Sequence, residues 1–220
     1  PAMRAVPQMP GGAAPAQLRG LSLVAAISSI SVVGIAIGLG TPLLSVILEG
    51  RGHSATMIGL NTAVAGIASI AAAPLAIPLA VRFGVVTTML AMILAGALAF
   101  VGFHVAPSFW MWFPLRAVLH VALTVLFILS EYWISASAPP HRRGFVLGIY
   151  ATVLSLGFAL GPWLFAHLGS QGFLPFGVTF AITMLAAIPV VAAWRQSPPI
   201  HRSADESRSF AGYILLVPTA

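Results

Sequence analysis

The chain has 220 residues, of which 59% are hydrophobic and 6% charged, and its mean hydropathy is +1.01. Soluble domains carry about 25% charged residues, so this composition excludes a soluble enzyme, a soluble nucleic-acid binder and a disordered segment. Without cysteine there are no disulfides, zinc–thiolate sites or thiol catalysis. The net charge is +6, yet lysine is absent and the arginines are spread thinly, a pattern that fits topology signals beside membrane spans.

In chain order, residues 1–19 form a Pro/Gly/Ala-rich segment that reads as a disordered cytoplasmic tail. The apolar run that follows is too long for a cleaved signal peptide. A helix needs about 20 apolar residues to cross the hydrocarbon core, and six stretches qualify: Leu21–Leu48, Ala55–Val81, Val85–Val105, Phe109–Ala136, Phe145–Leu168 and Phe176–Trp194. Their connections are short, which makes neighbours antiparallel. The predicted fold is an all-α membrane protein with a six-transmembrane-helix bundle over residues 20–195. A polar cytoplasmic linker, 196–209, leads to an apolar stretch, 210–220, too short to cross and read as the start of a truncated seventh helix.

Arginine placement sets the expected orientation. With the N-terminus in the cytoplasm, Arg4, Arg19, Arg82, Arg142, Arg143, Arg195, Arg202 and Arg208 fall inside and Arg51 alone outside, Arg116 being within a span. Such a bias is the signature of an inward-facing positive side.

The rare polar groups within the spans are the candidate functional residues, because charge at mid-membrane costs roughly 2.5–3.5 kcal/mol and is turned toward a cavity or a partner. In the fourth span, at about 100° per residue, His120, Thr124 and Glu131 stand ~40°, ~80° and ~60° from Arg116, so all four share one face. Arg116, His120 and Thr124, with Asn61 on the second span, make a candidate substrate or proton pathway. The alternatives are that Arg116 reaches the outer interface by extending its stem and that His120 is a hydrogen-bonded structural histidine. Gly34 and Gly38 permit close helix contact, Pro42 frees a carbonyl and can bend the first helix, and Gly157, Gly161 and Pro162 suit close packing plus a kink.

Arg82 with Gly84, Arg116, Glu131-Tyr132-Trp133 with Arg143-Gly144, and Gly157 with Gly161-Pro162 stand in an order and spacing that together resemble the N-terminal six-helix half of a major facilitator superfamily transporter. The stretch Leu79-Ala80-Val81-Arg82-Phe83-Gly84-Val85-Val86 corresponds to that family's Gly-x-Leu-Ala-Asp-Arg-x-Gly-Arg-Arg loop through Arg82 and Gly84, with Val81 where the family has aspartate. Arg116 takes the position of an arginine frequent in the family's fourth helix, with His120 in place of the usual glycine. Gly157-x-x-x-Gly161-Pro162 matches a fifth-helix pattern that accompanies drug and proton antiport. Glu131-Tyr132-Trp133 and Arg143-Gly144 onward resemble a group of bacterial members.

The resemblance implies two inverted three-helix repeats and, in the complete protein, two bundles rocking around a central site. It implies Arg82 and Gly84 as an inner-loop latch, weakened by Val81, and a clamp between Glu131 and Arg142 or Arg143, with a proton-carrying Glu131 as the alternative. It also implies a bacterial inner membrane, a small-molecule solute and the lipid bilayer as partners, and a second six-helix half or a partner membrane protein. No cofactor, metal cluster, nucleotide loop or catalytic constellation is expected. Two functions stay open: half of a secondary transporter working by alternating access, proton coupling included as an option, or a truncated transporter-like accessory subunit of a larger membrane complex.

Overall fold

A computed structural model describes residues 16–198. The segments read as the far N-terminal tail, most of the linker and the seventh helix lie outside the described residues. Among those described, six helical stretches are long and apolar enough to cross a bilayer: Gly20–Gly50, Ala55–Phe83, Val85–Val105, Phe109–Ser137, Pro140–Leu168 and Leu174–Ala192. They are the first to sixth spans below. The first helix already begins at Ala16, inside the segment read as tail.

Proline explains the interruptions. In the second span, Pro74 and Pro78 cannot donate to the preceding turn, and a 3-10 turn at Ala73–Leu75 joins helices Ala55–Ala72 and Ala76–Phe83. In the sixth, Pro189 cannot donate to Leu185, and the span divides into Leu174–Leu185 and Ala187–Ala192. The fifth span opens with a 3-10 turn at Pro140–Arg142 that runs directly into helix Arg143–Leu168, so helix replaces the loop expected before Phe145. The second and third spans are separated by Gly84 alone, at φ 87°, ψ 148°. Its N–H donates to the Ala80 carbonyl at 2.9 Å and its carbonyl accepts from Thr88 N at 3.1 Å. A side chain at that backbone conformation is strained, which is why glycine makes the turn.

The first span packs on the fourth, fifth and sixth, and the fourth packs on the first, second and third. The third and sixth spans also meet, whereas the first barely touches the second and the fourth barely touches the fifth. Exchanging first with fourth, second with fifth and third with sixth maps this pattern onto itself. Each repeat has three crossings, an odd number, so the two copies run in opposite directions: they are inverted repeats. The first and fourth spans hold the core, with Ala25, Ile30, Leu39, Leu43, Trp112 and Trp133 buried. The second and fifth spans are the least buried of the six and expose large apolar side chains, among them Ile67, Ile70, Phe145, Leu156 and Trp163.

Candidate functional site

Arg116 sits one turn into the fourth span's main helix, Trp112–Ser137, and is 1% exposed. Its Nε donates to Oδ1 of Asn61, itself fully buried on the second span, at 3.1 Å. Two turns further along, Thr124 Oγ1 donates to Ser69 Oγ at 3.0 Å. Both bonds join residues 55 apart in sequence. The constant offset follows from topology: the second and fourth spans run in the same direction, so equal steps along each keep partners level.

Asn61 satisfies only part of the guanidinium. Arg116 Nη2 and Asn61 Nδ2 are buried without a hydrogen-bond partner, as are the indole N–H groups of Trp112 and Trp133. A buried cation held by a neutral amide lacks the compensating charge that usually accompanies it. Nη2 thus keeps a donor that an anion, a carboxylate or water can satisfy. His120 is half-buried and makes no hydrogen bond among the described residues. Of the four polar residues placed on one face of the fourth span, Arg116 and Thr124 turn to the second span, while Glu131 is exposed.

The clamp expected at the fourth–fifth connection takes another form. Arg143 Nη2 donates to the Ser135 carbonyl at 2.9 Å, and Glu131 forms no ion pair with Arg142 or Arg143 among the described residues. A carbonyl near the end of the preceding helix is an acceptor already held in place, whereas an exposed ion pair gives back most of its Coulomb energy to water and side-chain entropy. A second fastening was missed from sequence. Ser130 Oγ donates to the Phe127 carbonyl at 2.9 Å and stands 2.9 Å from the Tyr150 hydroxyl, which joins the fourth and fifth spans inside the bundle. Lone Ser and Tyr residues in apolar runs carry no periodic signal that would have paired them.

The glycines lie at one crossing of the first and fifth spans. A Cβ on Gly34 would stand 2.7 Å from the Leu154 carbonyl and 3.0 Å from Gly157 Cα; one on Gly38 would stand 2.9 Å from the Phe158 carbonyl. A Cβ on Gly161 would overlap the Gly38 and Leu39 backbone. Pro162 cannot donate to the Phe158 carbonyl, so the oxygen it leaves free is the one that faces Gly38. Pro42 does the same for the Gly38 carbonyl within the first helix. At the second–third turn, Arg82 is exposed and its guanidinium lies over the Phe83 ring at 5.1 Å.

Fold and site together define a polytopic α-helical membrane protein with a polar layer buried between inverted repeats. The Major Facilitator Superfamily model matches residues 19–217, and the chain belongs to that family. It is 29% identical over 201 residues to the MFS-type transporter YfkF of Bacillus subtilis (strain 168), covering 86% of this chain and 51% of that protein. It is 26% identical over 173 residues to the MFS-type transporter YqjV of the same organism, covering 78% of this chain and 42% of that protein. The chain thus spans about half the length of the curated relatives it matches.

Proposed function

We propose that the chain is the N-terminal six-helix half of a secondary transporter that moves a small solute across a bacterial inner membrane by alternating access. Three features support this reading: membership of a transporter family, coverage of about half of a relative's length, and two symmetry-related spans, the second and fifth, left with exposed apolar faces that a second half can cover. The observation that carries it furthest is the buried Arg116–Asn61 layer, because family membership alone does not give a solute a charged group to meet inside the bilayer. Asn61 holds the guanidinium when no solute is bound. An anionic solute or a carboxylate of the second half takes over Nη2 as the halves rock. His120 and Thr124 continue the same pathway toward the other end. In this reading the arginine-rich end, with Arg82, Arg142, Arg143 and Arg195, faces the cytoplasm, and the Arg82–Gly84 turn meets the second half there as a latch.

The test is solute-driven proton or label flux in proteoliposomes holding the chain together with its second half. Arg116→Ala and Asn61→Ala are expected to reduce flux at least tenfold, and unchanged flux in both contradicts the assignment. The accessory-subunit reading is favoured by Val81, which stands where the family's loop has an acid. It requires a stoichiometric membrane partner on purification, and a chain that purifies with none rejects it.

A further inference from the structure

The sixth span has two unlike faces. Ala186, Val190 and Ala193 are buried, and the third span packs along both of its helices, as far as Ala187–Ala192. Leu185, Ile188, Val191 and Trp194 recur at every third position and are each at least half exposed. Arg195 stands at the end of this stripe, exposed, in the 3-10 turn Trp194–Gln196. That turn is pinned to the first span, where the buried Ser22 Oγ stands 3.4 Å from both the Gln196 backbone carbonyl and its Oε1. The third span starts at the same end of the bundle with a similar pairing. Arg82 and Phe83 precede it, both exposed, with the guanidinium over the ring.

Neither guanidinium is matched by an anion. Arg82 and Arg195 make no hydrogen bond or ion pair among the described residues. The acids there are Glu49, at the opposite end of the bundle, and Glu131, exposed on the fourth span. A guanidinium presents five N–H donors in a fork that fits a phosphate. A soluble anion needs only that fork, whereas an exposed aromatic ring beside each arginine suits the headgroup boundary of a bilayer. Cation, ring and apolar stripe follow one another from the end of the sixth span toward its middle. Phosphate, glycerol and acyl chain follow in the same order in a phospholipid. The fourth–fifth turn differs, because Arg143 is spent on the Ser135 carbonyl and the exposed Arg142 lies between spans that barely touch.

We infer that the arginine-rich end of the third and sixth spans binds an anionic phospholipid, with its phosphate on Arg195 and Arg82 and an acyl chain along Leu185, Ile188 and Val191. The site stands apart from the solute pathway and does not rest on the transporter reading. Arg82 is also the proposed latch residue, so Arg195, which no other role claims, is the decisive one. Native mass spectrometry on the full chain, equilibrated in detergent with equal amounts of dioleoyl phosphatidylglycerol and phosphatidylcholine, tests the site. Phosphatidylglycerol is expected to be retained in preference by about tenfold or more, since each interfacial arginine contributes about fivefold toward an anionic headgroup. Arg195→Gln and Arg82→Gln, with the helical spectrum retained, are each expected to lower that preference about fivefold. Arg195→Lys keeps the charge and should retain most of it, which a folding defect would not. Arg142→Gln removes the same charge at the fourth–fifth turn and should leave the preference within about twofold. Excess sn-glycerol 3-phosphate is expected not to displace the lipid, and displacement would mark a site for free phosphate and overturn the assignment. Equal retention of the two lipids also overturns it, as does a loss in Arg142→Gln as large as that in Arg195→Gln.

Discussion

Arg116 and Asn61 form an unequal pair, since one is charged and the other is not. Deleting the amide strands a cation in a low-dielectric interior, whereas replacing the arginine by an apolar chain removes the charge itself and strands only an amide. Asn61→Ala is therefore expected to lower thermal stability more than Arg116→Met, by about 1–3 kcal/mol. The double variant should recover part of the loss, as read from melting in detergent; a strictly additive double variant contradicts a direct pairing. At the second–third turn, Gly84→Ala puts a Cβ on a backbone at φ 87° and is expected to cost about 1–3 kcal/mol in the same assay. Both Arg116 and Asn61 stand out in sequence because a polar residue in an apolar run demands a reason. What opposes each was not legible, because periodicity gives the face a residue occupies and not its partner. Ser69 becomes predictable from Thr124 only once the second and fourth spans are known to lie side by side in parallel.

Symmetry-related helix pairs are fastened by different chemistry. The first and fifth spans meet backbone to backbone at Gly34, Gly38, Gly157 and Gly161, while the equivalent fourth and second spans are joined by polar bonds at Arg116–Asn61 and Thr124–Ser69. Small-residue contacts gain from close van der Waals approach and tolerate no added atom. Gly161→Ala is accordingly expected to force the two helices apart and lower the melting midpoint by several degrees, at roughly 2–4 °C per kcal/mol for a chain of this size. Gly148→Ala lies on the same helix with open space around it and should be neutral or slightly stabilising through helix propensity. Equal effects of the two substitutions contradict the crossing. Six spans were legible from apolar length alone, because no other structure satisfies the backbone of such runs in lipid. Their ends were less so. The helix running through Pro140–Arg142 into Arg143 and the proline breaks within the second and sixth spans depend on local backbone geometry that hydropathy does not record.

At the scale of the molecule, the apolar faces of the second and fifth spans suit lipid as well as protein, whereas the buried guanidinium keeps a donor that the six helices do not satisfy. A second bundle or a solute supplies what is missing only if the six helices cross the membrane in the alternating order that places Arg51 opposite Arg82, Arg142, Arg143 and Arg195. The chain has no cysteine of its own, so single cysteines report each loop without background. Cells carrying Gly52→Cys, Pro107→Cys or Ser170→Cys, and separately Phe83→Cys, His141→Cys or Gln196→Cys, would be treated with a membrane-impermeant maleimide. The first three are expected to label on intact cells and the last three only after permeabilisation. Labelling of Pro107→Cys and His141→Cys from the same side would show that the fourth span does not cross, and the polar layer built on it would have no place inside the bundle.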